Sequence, residues 1–253
     1  MNEGRTMIFQ VNNLKLHYEV LGKGKPLVIL HGLAGNLETM EAVFEPVFNE
    51  KSGFQRLYVD LPGMGETNAP LEFASSDAIL EVLLSFVKEV VGSPFLLAGY
   101  SYGGYLARAM AVKDAAVNGL MLLASMIVPE HDKRALPETD WFYETQICKK
   151  AQVRYDAVSK QANEDFLEKL DDKYALSWDV SAAHRYSQPA LILLGQQDGT
   201  VGFENQLSLI LDYPRATVAI LDLAGHNLQM EQREVFEELV KNWIERCEMT
   251  EVN

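Results

Sequence analysis

A hydroxyl, an imidazole and a carboxylate stand at widely separated points of this 253-residue sequence, each close to glycine. They are Ser101 in GYSYG, Asp198 in GQQDG and His226 in GHN. A serine hydroxyl is a weak nucleophile near neutral pH and attacks a carbonyl carbon only when a base within hydrogen-bond reach takes its proton. His226 is the candidate base. A carboxylate on the far ring nitrogen would fix its tautomer and stabilise the charge that develops. Asp198 is the candidate for that role, with Asp222, close to His226 in sequence, and Glu130 as rivals. Together these groups would perform acyl transfer through a covalent serine intermediate. The bland alternative is a turn serine and a loop histidine with structural roles only.

For groups so far apart to meet, the chain between them must fold into elements whose ends converge. Continuous apolar runs occur at LVIL (Leu27 to Leu30), RLYV (ending at Val59), FLLA (ending at Ala98), GLMLLA (ending at Ala124), ALILL (ending at Leu194) and VAIL (ending at Leu221). They are too short for helices and too unbroken for half-exposed strands, so they read as strands covered on both faces. Between them lie amphipathic segments. Ile79, Leu80, Leu83, Phe86, Val87, Val90 and Val91 form one apolar face that stops at Gly92, and Phe236, Leu239, Val240, Trp243, Ile244 and Cys247 form another. Leu106, Ala107, Met110 and Ala111 recur at helical spacing, so Ser101 sits where a strand turns into a helix. The first residues alternate in MIFQV and LKLHYEV around Asn12 and Asn13, the pattern of an antiparallel hairpin.

The expected fold class is therefore α/β: a mostly parallel central sheet, an antiparallel N-terminal hairpin, and helices on both faces. From 127 to 187 no buried-strand run occurs, and charged and aromatic residues mix at helical spacing. This stretch is expected to be a helical cap inserted after the sixth strand of a single domain spanning 1–253. Because it leaves one strand end and returns to the next strand's start, it should lie over the carboxyl ends of the strands, as a lid or as plain structural cover.

Reactive groups in such sheets collect at those ends. There stand His31-Gly32-Leu33, Asp60, Ser101, Asp198 and His226. Their order and setting resemble the α/β-hydrolase family, in its serine hydrolase and carboxylesterase-like branch. GYSYG is similar to the nucleophile elbow, HGLAG from His31 to the oxyanion loop, DLPGMGET from Asp60 to the glycine-containing turn, and GQQDG and GHN to the acid and histidine segments. The resemblance runs through nearly the whole chain but is silent over the cap. It implies Ser101 as nucleophile, His226 as base and Asp198 as acid, with the backbone N–H groups of Leu33 and Tyr102 as the oxyanion hole. It also implies cleavage of a small carboxylic ester or related acyl compound, without metal or organic cofactor. Gly99 and Gly103 would spare the elbow collisions with the crossing strand and helix, and Gly104 would let the helix approach the sheet.

Neighbouring branches differ at readable positions. Dehalogenases and epoxide hydrolases place aspartate where Ser101 stands. Proline-releasing peptidases carry a glycine-proline oxyanion motif absent from HGLAG, and perhydrolases a proline where Ala34 stands. Carbon-carbon bond hydrolases often have asparagine at the place of Tyr100. Carbon-carbon hydrolysis, a lyase step, acyl transfer and a small-molecule receptor that retains the triad remain as alternative readings. His31 is expected to brace the oxyanion loop, and Asp60, Gly63 and Gly65 to shape a turn. His17 reads as a sheet-face histidine, His131 and His184 as pocket or surface residues of the cap. Trp141, Phe142, Tyr143, Tyr174 and Trp178 read as cap core.

Composition narrows the partners. Lys and Arg number 22 against 36 Asp and Glu, a formal net charge of -14. A nucleic-acid surface needs clustered cations to displace counterions from phosphates, so the expected partner is a small-molecule acyl substrate. Cys148 and Cys247 are isolated, which suggests neither a disulfide framework nor a metal cluster. The start MNEGRTMIFQ lacks signal-peptide organisation and no apolar run reaches membrane-spanning length, so a cytoplasmic location is expected, with oligomeric state open.

Overall fold

The computed structural model describes residues 5–48, 53–92, 94–114, 116–159, 162–180 and 185–249. Eight strands form one sheet: β1 (Arg5–Val11), β2 (Leu14–Gly22), β3 (Lys25–Leu30), β4 (Phe54–Val59), β5 (Phe95–Tyr100), β6 (Val117–Leu123), β7 (Ala190–Gly195) and β8 (Ala216–Leu221). Their spatial order is β1-β2-β4-β3-β5-β6-β7-β8. The β1–β2 hairpin is antiparallel and joins the sheet antiparallel to β4, whereas every pairing from β4 through β3 to β8 is parallel.

The helices are α1 (Leu37–Phe44), α2 (Ser76–Phe86), α3 (Tyr102–Lys113), α4 (Asp140–Tyr143), α5 (Gln146–Ser159), α6 (Glu164–Asp171), α7 (Glu204–Leu207), α8 (Leu228–Glu231) and α9 (Arg233–Met249). The apolar face of α2 continues through a π-helical turn over Val87–Val91 and stops at Gly92, whose φ is +61°.

Side chains alternate across a strand, so an unbroken apolar run must be covered twice. Val28, Leu30, Leu97, Leu120, Leu122 and Ile192 pack on one face with Ile79 and Leu83 of α2 and Leu106 and Met110 of α3. Leu27, Ile29, Leu96, Met121, Leu191 and Leu193 pack on the other with Leu37 and Met40 of α1 and Phe236, Val240 and Trp243 of α9. One run departs from expectation. VAIL in β8 is only partly buried along its length, with Ile220 exposed, because β8 is an edge strand.

Register aligns the carboxyl ends. Leu30 pairs with Val59 and with Gly99, Gly99 with Leu122, and Leu122 with Ile192. The sheet grows outward from β3, with β4 on one side and β5 on the other, so the connections after β3 and β5 run to opposite faces and leave a crevice between them.

The insertion between β6 and β7 is helical: a 3-10 turn at His131–Lys133 followed by α4, α5 and α6. It is fastened to the sheet helices. Leu176 N–H donates to Tyr105 Oη at 2.9 Å, Ser76 Oγ–H donates to the Tyr174 carbonyl, and the Tyr174 ring stacks on Tyr102 with centroids 5.0 Å apart.

Candidate active site

Ser101 occupies the turn from β5 into α3 with φ +53° and ψ −117°, a sparsely populated conformation for a residue with a side chain. The surroundings over-determine it. Ser101 N–H donates to the Leu123 carbonyl at 2.9 Å, and the Ser101 carbonyl accepts from the N–H groups of Tyr105 and Met126, both at 3.1 Å. The turn leaves no room for side chains beside it: a Cβ on Gly99 would lie 2.3 Å from the Gly103 carbonyl oxygen, and one on Gly103 would lie 2.3 Å from that of His31. Tyr102 is the first residue of α3, so its N–H is among those for which the helix supplies no acceptor. The positive end of the helix dipole favours negative charge at that place. The loop after β3 reaches the same spot, since a Cβ on Gly32 would be 3.1 Å from Ser101 Cβ. Leu33 follows, in a turn closed by Gly35 N–H donating to the Gly32 carbonyl at 3.0 Å and by Ala34 at φ +56°.

His226 bridges the other two candidates. Its Nε2 lies 2.9 Å from Ser101 Oγ and its Nδ1 2.9 Å from Asp198 Oδ2. Asp198 is fully buried, and burial alone would raise its carboxyl. The neighbouring His226 and the N–H groups of Val201 and Thr200, which donate to Oδ1 at 3.0 and 2.9 Å, outweigh that and hold it below the ordinary value. An ionised carboxylate only accepts hydrogen bonds, so Nδ1 of a neutral His226 carries the ring proton and Nε2 is left to accept one from the Ser101 hydroxyl.

A second buried network supports the loop after β3. Asp60 Oδ1 accepts the N–H of Leu37 at the start of α1 at 2.7 Å, while Oδ2 accepts from Glu66 N–H at 2.9 Å and lies 2.7 Å from His17 Nδ1. His31 Nδ1 donates to the Gly32 carbonyl at 2.7 Å, and its Nε2 accepts from Leu61 N–H at 2.9 Å. Burial pushes the His31 imidazole below its ordinary pKa despite the opposing influences of Asp60 and the Gly32 carbonyl, which suits a neutral strut.

The model of the alpha/beta hydrolase family matches residues 27–239. The chain belongs to that family. The (E)-2-((N-methylformamido)methylene)succinate hydrolase of Acinetobacter baylyi is 22% identical over 92% of this chain and 95% of its own length. A pimeloyl-[acyl-carrier protein] methyl ester esterase of Shewanella woodyi is 33% identical, but over only 44% of this chain and 40% of that protein. Among solved structures, an alpha/beta superfamily hydrolase from Oenococcus oeni PSU-1 is similar with a TM-score of 0.84, at 27% identity over 96% of this chain and 99% of that one.

Within this hydrolase fold the rival acids lie elsewhere. Asp222 is exposed and accepts from Gln197 Nε2 at 2.9 Å, and Glu130 pairs with Lys133 at 3.0 Å on the surface. His17, expected as an ordinary sheet-face residue, is buried against Asp60. His131 is exposed, and His184 lies outside the described residues. Of the aromatic residues of the insertion, Phe142 is fully buried, Trp141 and Tyr143 are exposed, and Trp178 sits beneath the Lys113 ammonium at 5.4 Å. A cavity of about 110 Å³ reaches His226 and is walled by Phe142, Cys148, Gly225, Asn227 and Glu231 among others. Among the described residues no helix is long and apolar enough to cross a membrane, and no three His, Cys, Asp or Glu side chains gather as metal ligands would.

Sequence reasoning missed two contributors. Tyr100 donates its hydroxyl to Asn227 Oδ1 at 3.0 Å, and Glu231 Oε2 accepts the N–H of Gly225 at 2.6 Å. Nothing in type or spacing separates Glu231 from the other members of a pool of 36 acidic residues.

Proposed function

We propose that the protein is a serine hydrolase that cleaves a small carboxylic ester or related acyl compound through an acyl-enzyme. The observation that carries this reading is the unbroken relay from Ser101 Oγ through His226 to Asp198, at 2.9 Å in both steps. In the first half-reaction Ser101 Oγ attacks the acyl carbon while His226 Nε2 takes its proton. His226 then returns that proton to the leaving alcohol. In the second half it takes a proton from water, which attacks the acyl-enzyme and releases the acid. Asp198 holds the imidazole in its tautomer and stabilises the imidazolium. The N–H groups of Leu33 and Tyr102 serve as the oxyanion hole, each supplying about 3 kcal/mol to the tetrahedral intermediate.

In this reading the insertion over 127–187 caps the site, supported by Phe142 and Cys148 in the wall of the His226 cavity. The Shewanella methyl ester esterase and the Acinetobacter hydrolase are consistent with hydrolysis as the reaction class.

The test is turnover of activated esters graded by acyl length, with a serine-directed phosphonate as active-site label. Multiple turnovers are expected, with Ser101→Ala losing on the order of 10⁶ in kcat and all labelling. Unchanged turnover in Ser101→Ala would refute the reading. One slow turnover with tight product retention would favour a receptor instead.

A further inference from the structure

Glu231 ends the one-turn helix α8, and its side chain folds back toward the segment that precedes that helix. Its Oε2 accepts the N–H of Gly225, the residue immediately before His226, at 2.6 Å. On the other side of the imidazole, Asn227 is held by the Tyr100 hydroxyl at 3.0 Å, and the Tyr100 ring lies 5.1 Å from that of His226. Both chain neighbours of His226 are therefore tied down, one by a neutral pair and the other by an ionisable group.

The surroundings of Glu231 are mixed. Cys148 of α5 lines the same cavity as its carboxyl. His226 and Asp198 face it from the strand-end loops, and Tyr143 of α4 shares the cavity at His226. Glu231 also borders a larger groove of about 710 Å³, where Lys149 and Lys150 of α5 and Arg233 of α9 stand. Two of these cations are engaged elsewhere, Lys149 with Glu144 at 2.7 Å and Arg233 with Glu237 at 2.8 Å. Burial pushes the Glu231 carboxyl up to about 7, with Asp198 acting in the same direction and the Gly225 N–H, His226 and Cys148 against it. Its charge thus changes close to neutral pH, beside the imidazole.

We propose that Glu231 is a positioning residue for His226, fixing the imidazole through the Gly225 N–H and, as carboxylate, stabilising the imidazolium that forms during the reaction. The kinetic part rests on the reading of His226 as general base. The physical part does not: a charged acceptor grips an amide more strongly than a neutral one, and a nearby negative charge favours a protonated imidazole. Glu231 reaches no reacting atom, so it acts only through His226.

Glu231→Gln keeps the shape and an acceptor for Gly225 while removing the charge. With a short activated ester, the acid limb of its kcat/KM profile is expected to move down by about half a pH unit, about threefold in the ionisation constant. Its kcat near pH 8 is expected to fall at least threefold with KM unchanged. The deciding measurement is the NMR titration of the His226 imidazole in wild type and Glu231→Gln, which needs no turnover. A lower midpoint in the variant supports the proposal even if the wild type proves to hydrolyse no ester, in which case only the hydrolase reading falls. An unchanged midpoint overturns the proposal whatever the kinetics.

Discussion

Replacing Glu231 by Gln also tests the energetics of the buried carboxyl, because the two side chains differ by a proton-binding site and little volume. Burial in the folded chain, reinforced by Asp198, lifts this carboxyl from an ordinary 4.5 to about 7, and unfolding returns it to the ordinary value. The folded state therefore holds the proton more tightly. Its contribution to stability is fully present below about pH 4.5, falls as pH rises, and is lost above about pH 7. At about 1.4 kcal/mol per unit, that interval sets an upper limit of about 3.5 kcal/mol, which the partial solvent exposure of the side chain reduces to about 2 kcal/mol. Gln has no proton to lose. Its stability relative to wild type should accordingly improve by about 1.5 kcal/mol between about pH 5 and about pH 8, since part of the contribution is already lost at pH 5. Urea unfolding of both proteins at the two pH values measures this. Glu41, whose carboxyl burial also raises, and His31, whose imidazole burial lowers, are common to both chains and cancel in the difference. An offset between the proteins that is the same at both pH values would refute the reasoning.

Asp198→Asn should lower kcat by about 10⁴ with the fold retained, because an amide turned to donate to Nδ1 forces the imidazole proton onto Nε2; ester turnover measures it, and a loss under tenfold would send the search to another acid. Gly103→Ala should cost about 2–4 kcal/mol in thermal unfolding, since its Cβ would meet the His31 and Leu30 carbonyl oxygens at 2.3 and 2.8 Å, both backbone atoms that cannot step aside. Trp243→Ala should cost about 3–5 kcal/mol by denaturant titration, because the indole is fully buried between α9 and the sheet, while kcat per folded molecule stays at the wild-type value.

Much of the architecture was legible in the linear chain because hydropathy has a period. Unbroken runs such as Leu27 to Leu30 demand cover on both faces, and β3 has it, with Leu27 and Ile29 against α1 and α9 and Val28 and Leu30 against α2 and α3. The same reasoning overstated β8, since an apolar run does not announce whether another strand lies beyond it, and the sheet ends there. The buried partner of His17 was not legible for a related reason. The alternation around His17 is that of a sheet-face residue, but its hydrogen-bond partner Asp60 comes from the end of β4, the neighbouring strand in space and not in sequence.

By itself the sequence determined the strands, the main helices, the sharp glycine-flanked turn at Ser101 and the short list of groups able to move a proton, since these follow from local periodicity and from which side chains carry chemistry. Only tertiary structure decided that Asp198 and not Asp222 lies against His226, that Asp60 ties β2, the 60–67 turn and α1 together, and that Glu231 reaches back to Gly225. Hydrogen bonds operate over about 3 Å, and that distance is set by strand register and loop path across more than a hundred residues in the case of Ser101 and His226.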